Sequence, residues 1–464
     1  MNPSVKRKFS VSLCLMMAVM LMLSACGTKS SSEGTTSSST TESQASSTEE
    51  QVTIKYYNWD NADSEVATKA MLGEFEKQNP NIKVEHVVLV PGNSQEMLKK
   101  LDFLISSGEA VDVIAMPSAG SLVERASRGA LAPLDELYQA NSLVPADEYY
   151  VNTKVDNKTY GMQFTTGYQF VLLNKDALDE VGLPVPKFGW TWDDYRDYAK
   201  KLTKGEGVDK RYGTYFHTWE LYMNAPAQTV MKDPFRYDDG TTILSDPTYK
   251  YFFQLRKDME KIDQSAKPYA DVLAAKLNYR SEFFSGDAAM ILSGSFMIPD
   301  PGNIEQYPHD FKTAFAPVPL PPQNALPKDY AGGKYFVGGS QLAMGGTSKH
   351  KEAAFKLMRF MTTTDSESRM EFSGWKKADQ NKVLDRLIGK NPDKYDVESL
   401  KSTLFGPDIQ YLDTSEVVTK STSDLTKVID DGFSKFMLSN DSIDSVQKWM
   451  VDEATKIINE KENK

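Results

Sequence analysis

Apolar and polar positions alternate from Val52 to Asn58, with Val52, Ile54 and Tyr56 on one side, and this period of two predicts a strand. A helix is predicted over Ser64 to Gln78, presenting Val66, Ala70 and Phe75 before Asn79-Pro80 stops it. Ile82 to Val90 reads as a second strand. Asn93 then stands where an N-cap belongs, ahead of a helix carrying Met97, Leu101, Leu104 and Ile105 on one face and ending at Gly108. Val111 to Met116 is a third strand, followed by Pro117-Ser118-Ala119-Gly120 and another helical stretch. Strand and helix alternating through short connections predict a mostly parallel, doubly wound sheet.

The pattern then changes. Thr153 to Phe164 reads as a hairpin turning at Asp156-Asn157-Lys158, Tyr168 to Asn174 as a strand, and Thr191-Trp192-Asp193-Asp194 as a capping box opening a helix. Tyr212 to Phe216 and Ala288 to Leu292 read as strands, and Asp246-Pro247 opens a helix bearing Phe252, Leu255, Met259 and Ile262, so a second α/β unit is predicted. A Pro-rich stretch (317–327) and a Gly-rich stretch (332–346) precede a helix from about Lys349 to Met361, whose buried side is Ala354, Leu357, Met358 and Met361. Asp408 to Lys464 reads as helical, with Leu425, Ile429, Phe433 and Phe436 at helix spacing.

The amino terminus has a different character. Lys6, Arg7 and Lys8 precede the apolar run Phe9 to Leu23, and Leu23-Ser24-Ala25-Cys26 follows, which reads as an export signal over residues 1–25 with Cys26 as the acylated first residue of a lipoprotein. Residues 27–50 are almost wholly Ser, Thr, Glu, Gln, Gly and Ala, too polar to offset the entropy of ordering, and predict a disordered tether reaching on the order of 25–30 Å. A body on the outer face of the cell membrane, held by lipid at Cys26, is the expectation. The formal charge of −11 becomes −14 without the three leader cations, which argues against nucleic acid and anionic substrates. His86, His217, His309 and His350 are scattered without ligand-like spacing, so neither metal nor cofactor is expected.

Several segments together resemble one family. Tyr160-Gly161-Met162-Gln163-Phe164, Leu172-Leu173-Asn174-Lys175-Asp176 and Gly182-Leu183-Pro184 are similar to the Y-G-x-P, Y-N-K and G-L-P run of bacterial solute-binding proteins of carbohydrate ABC transporters, the maltose-binding-protein-like group. Thr191 to Thr203 resembles its T-W-D-E to A-K-K-L-T segment, Phe284 to Phe296 its F-x-x-G-x-A-A-M-x-x-x-G-x-W segment, and Ser348 to Met361 its S-K-N-P-E-A-A to F-L segment. Gln163 and Phe164 depart from the family proline, Leu173 from its tyrosine and Phe296 from its tryptophan. The resemblance implies a two-lobed α/β fold of the type II periplasmic-binding kind, with a ligand cleft and a hinge near Thr165-Thr166 and Phe336-Val337. The lobes are expected at 51–164 plus 337–385 and 165–336 plus 386–464. It also implies a non-enzymatic, monomeric receptor that passes a sugar or oligosaccharide to the transmembrane subunits of an ABC permease.

A saccharide offers an apolar C–H face and a rim of hydroxyls, so its site needs aromatic platforms and fixed polar groups. Open α/β sheets hold ligands beyond the carboxyl ends of their strands. That rule selects Trp59 and Asp60 after the first strand, Ser118 after the third, and Trp219 and Glu220 beyond Phe216. Ser295 and Phe296 match the family's ligand-stacking position, Trp375 its cleft-facing segment, and Tyr335, Lys334 and Tyr168 lie beside the crossings. Trp192 and Trp449 are assigned to structure. Two other readings stay open: a glycoside hydrolase, which needs a carboxylate pair flanking the scissile bond, and a receptor for peptides or other solutes in the same fold.

Overall fold

A computed structural model describes residues 51–464 apart from 220, 328–334, 390, 409–410, 414–416 and 463–464. Cys26, the leader and the tether therefore lie outside the described residues. The chain starts with β1 (Val52–Asn58), α1 (Ala62–Gln78), β2 (Ile82–Val88), α2 (Ser94–Ser106), β3 (Val113–Met116) and α3 (Ala119–Ser127), then reaches β4 (Gly161–Gln163). β1 lies parallel to both β2 and β3. Asn93 caps α2 by accepting from the Glu96 amide at 3.0 Å, and Met97, Leu98 and Leu101 are buried. The hairpin ahead of β4 turns at Asp156 and Asn157, φ 48° and 62°, the left-handed pair that lets two short strands keep their twist.

After β4 the chain crosses over and builds a second sheet from β5 (Gln169–Asn174), β6 (Tyr212–Tyr215), β7 (Ala288–Gly294) and β8 (Thr313–Pro317). Its order is β8-β5-β7-β6, with only β6 and β7 parallel. Around it pack α4 (Trp192–Leu202), α5 (Pro247–Lys261) and α6 (Tyr279–Phe284). A reciprocal Thr191–Asp194 box starts α4, which buries Trp192, Tyr195, Ala199 and Leu202. The chain then returns to the first sheet as β9 (Gln341–Met344), antiparallel to β3 and to β4, giving the order β2-β1-β3-β9-β4. α7 (Lys351–Thr363) covers that sheet with Ala354, Leu357, Met358 and Met361.

The remainder belongs to the second sheet's side. Val383, Leu384, Leu387 and Ile388 of α8 (Gln380–Ile388) pack with Phe170, Tyr215 and Phe283 beside the second sheet. Helices α9 (Thr422–Leu438) and α10 (Ile443–Lys461) form a further layer with Phe253, Tyr269 and Met223, and Trp449 leans on that cluster.

Three expectations are corrected. Val66 is 70 % exposed, and α1 buries Met71, Leu72 and Phe75. Val66 and Phe75 are nine residues apart, about two and a half turns, which places them on opposite sides. Ile262 ends α5 and is exposed. The segment from 408 opens as a strand, Tyr411–Asp413, paired with Tyr335–Val337, before its helices begin. The second sheet is mostly antiparallel, because the crossing feeds β5 into it against the direction of β7.

Candidate binding cleft

The two sheets are joined by crossing segments that leave one edge of each. β1, β3 and β4 all end, and β9 begins, at one edge of the first sheet. β6 and β7 end, and β5 begins, at one edge of the second. Residues 164–168 link β4 to β5 directly, so these edges meet at the crossings. There the chain passes three times. The Phe164 amide donates to Ser340 O at 2.9 Å and the Gly167 amide to Gly338 O at 3.0 Å, while the Thr166 amide donates to Phe372 O at 2.8 Å. Gln163, fully buried, accepts from the Val151 amide at 2.8 Å, and Thr166 Oγ1 donates to Ser373 O at 2.8 Å. Gly339 has φ +133°, and a Cβ there would stand 2.0 Å from Thr165 O. The seam thus requires glycine.

The second edge carries an aromatic corner. Trp219 meets His217 at 4.7 Å between ring centroids, Tyr279 at 5.0 Å and Phe296 at 6.1 Å, with interplanar angles of 84°, 62° and 62°. Trp219 is 42 % and Phe296 37 % exposed, whereas Tyr279 behind them is buried. The Arg280 guanidinium lies 4.8 Å from the Tyr279 ring and 5.8 Å from Phe296, and its Nε donates to Asp300 Oδ2 at 2.7 Å. Edge-to-face packing of this kind holds each ring by its neighbours and leaves apolar surface facing outward. Gly294 makes room, since a Cβ there would lie 2.9 Å from the Phe296 ring.

On the first edge Trp59 is half-buried against both clusters that cover the first sheet, with its carbonyl accepting from the Gly92 amide at 2.7 Å. Asn58 Nδ2 donates to Asp60 Oδ2 at 2.7 Å, and His86 Nε2 stands 3.1 Å from Asn58 Oδ1 and 3.5 Å from Asp60 Oδ2. Both partners of that nitrogen are acceptors, so it carries the proton. Burial raises the Asp60 pKa, but hydrogen bonds from His86, Thr68 and Asn58 outweigh it, and the carboxyl titrates below its ordinary value. Glu371, on the third crossing, is exposed to solvent yet crowded by protein; burial and then the charge of Asp60 push its pKa up to about 7, against the pull of Arg369.

The remaining candidates divide. Ser118 caps α3 in a reciprocal box with Ser121. Ser295 Oγ accepts from the Tyr168 amide at 3.2 Å and fastens β7 to the crossing. Tyr168 is buried at 7 %, its ring edge-on to Phe372 at 5.0 Å, so it packs at the seam and does not line the cleft. Trp375 is half-buried, and its Nε1 donates to Glu148 Oε2 at 2.9 Å. Tyr335 pairs opposite Tyr411 by its backbone, while Glu220 and Lys334 lie outside the described residues. Glu371, His217 and Tyr279 were missed. His217 follows β6 directly, so the strand-end rule reaches it, whereas nothing in the sequence around Glu371 points to a cleft.

Between α3 and the starts of α9 and the ends of α10 lies a hollow of about 310 Å³ lined by Glu124, Arg128, Lys420, Asp424 and Lys461. Four of its charges pair among themselves, Arg128 with Glu124 and Lys461 with Asp424, Lys420 pairs with Asp156 outside it, and it offers no ring to a sugar.

Residues 59–367 match the profile of the family described as bacterial extracellular solute-binding protein. The chain is 25 % identical to an uncharacterised lipoprotein of Streptomyces antibioticus over 338 residues, 70 % of each chain. It is 24 % identical to the multiple sugar-binding protein of Streptococcus mutans, covering 68 % of this chain and 71 % of that one. In structure it is similar to an ABC substrate-binding protein from Listeria monocytogenes in complex with cycloalternan, at TM-score 0.70 and 21 % identity over 88 % of this chain and all of the other. The fold is the two-lobed one of periplasmic solute-binding proteins.

Proposed function

Because the chain belongs to the family of bacterial extracellular solute-binding proteins, we infer that it captures a sugar or oligosaccharide between its lobes and delivers it, unaltered, to the transmembrane subunits of an ABC importer. The observation that carries this reading is the exposed corner of Trp219 and Phe296 at the strand ends of the second sheet, while Trp59 and Asp60 follow the end of β1 in the first sheet and Glu371 lies on the third crossing. Rings take the C–H face of a sugar and carboxyls accept from its hydroxyls. The lobes in this reading are 51–163 with 341–370, and 168–337 with 376–462, and residues between them form the hinge. Cys26 carries the lipid, and the protein works as a monomer on the outer face of the membrane, at the end of its tether.

A thermal-shift panel of mono- and oligosaccharides tests the ligand class, with an expected affinity of micromolar or tighter, about −7 to −10 kcal/mol. Solution scattering on the saturated protein should give a smaller radius of gyration than on the free one. Release of reducing ends from a bound oligosaccharide would reveal a hydrolase instead, and an unchanged radius would refute closure.

A further inference from the structure

The geometry points to His217 as a ligand-contacting residue that accepts a hydrogen bond from a ligand hydroxyl through Nε2, next to the stacking surface of Trp219. This rests on the receptor reading above and adds an acceptor to the second lobe's aromatic corner.

The argument begins with Tyr215. Its phenol oxygen lies 2.8 Å from His217 Nδ1 and donates to Leu277 O at 3.2 Å. A carbonyl only accepts and a phenol has one proton, so satisfying both contacts makes Nδ1 the donor to Tyr215. The neutral ring then has its lone pair on Nε2. Among the described residues no side chain or backbone group bonds that nitrogen, and it is not sealed from water. Burial pushes the imidazole pKa down to about 4, so the ring is uncharged and the lone pair present at neutral pH.

Orientation is fixed from several sides. Tyr279 lies 5.2 Å from the imidazole centroid, Tyr222 6.1 Å and Trp219 4.7 Å. Of the other groups at this corner, the rings of Trp219 and Phe296 carry no acceptor, and the Asp300 carboxylate and the Tyr279 hydroxyl already accept from Arg280. A ring stacked on Trp219 brings its hydroxyl rim to this nitrogen. An ammonium ligand in an aromatic cage is a poorer fit, because the rings touch one another at 5.0–6.1 Å and leave no space between them.

The test uses the full chain without its leader. With ¹⁵N-labelled histidine at pH 7, His217 should show a protonated Nδ1 and a bare Nε2; the opposite tautomer or an imidazolium overturns the assignment. His217→Phe and His217→Gln are then titrated by calorimetry with maltotriose, mannotriose and cyclic glucans. For a saccharide bound by the wild type, His217→Phe should weaken Kd at least tenfold, and His217→Gln, whose amide oxygen also accepts, should recover part of it. Folding is followed by Tm and by the Trp219 fluorescence environment. Binding by His217→Phe equal to wild type overturns the inference while leaving the receptor reading standing.

Discussion

Replacing Trp219 by Ala is the most direct measure of the aromatic corner. A covered tryptophan hides about 150–250 Å², and with 42 % of it exposed in the free protein roughly 60–100 Å² are available to a ligand. At about 25 cal/mol per Å² that is about 1.5–2.5 kcal/mol if fully covered. Stacking geometry adds about 0.5–1.5 kcal/mol. A sugar face covers only part of the ring, so the net loss expected is about 2–3 kcal/mol, roughly 30- to 150-fold in Kd. Calorimetry with the saccharide that gives the largest thermal shift reads this directly. Because the ring packs edge-on against His217 and Tyr279 on a half-open surface, its removal should lower Tm by only a few degrees. A Kd within threefold of wild type, with the fold intact, would refute the placement of the ligand on this corner.

Gly339→Ala forces a Cβ to 2.0 Å from Thr165 O at φ +133°, so a loss of at least about 3 kcal/mol is expected by urea unfolding; an undiminished midpoint would show that the crossings are not locked there. Burial raises the Glu148 carboxyl but hydrogen bonds from Lys377, Trp375 and Arg359 outweigh it, holding its pKa down to about 2. Its stabilisation is therefore present above the unfolded carboxylate value and lost as pH falls through about 2. Glu148→Gln should lose about 1–3 kcal/mol at pH 7, with the gap to wild type closing by pH 2, and an equal gap at both pH values would count against the assignment. Glu371 has the reverse sign: its folded pKa is raised to about 7, so ionisation costs stability as pH climbs from the unfolded value through 7. Glu371→Gln should gain at pH 8, by about 1 kcal/mol once solvent screening is allowed for, and nothing at pH 4; a variant no more stable at pH 8 would place Glu371 away from Asp60.

Much of the architecture is visible in local patterns because local physics decides it. Caps at Asn93, Thr191 and Asp246 occur where side-chain oxygens precede apolar faces, and the structure forms those helices. The strand-end rule reaches Trp219 and the family resemblance Phe296, and the two rings do meet. What eludes the sequence is set by distant partners. The phase of α1 is chosen by what Met71 and Phe75 meet in the first cluster, and the direction of β5 by a crossing whose geometry no local pattern encodes. Tyr168 looks like a cleft residue by its position in the chain, but Phe372, two hundred residues further on, claims its ring. The Glu371 carboxyl acquires its character from burial first and then from Asp60, against the pull of Arg369, and no spacing in the sequence foretells that surrounding.

The route of the chain has a consequence for how this protein matures. β4 ends at Gln163, yet its neighbour β9 begins only at Gln341, with the whole second sheet between them. A polypeptide delivered amino terminus first exposes four strands of the first sheet long before the strand that joins them arrives. Closing so large a loop is slow, and the waiting edges of β3 and β4 invite wrong pairing. The second lobe gains no earlier refuge, because α9 and α10 supply one wall of its interior. Neither half can finish ahead of the other, so a product that stops short of the final helices leaves both interiors open.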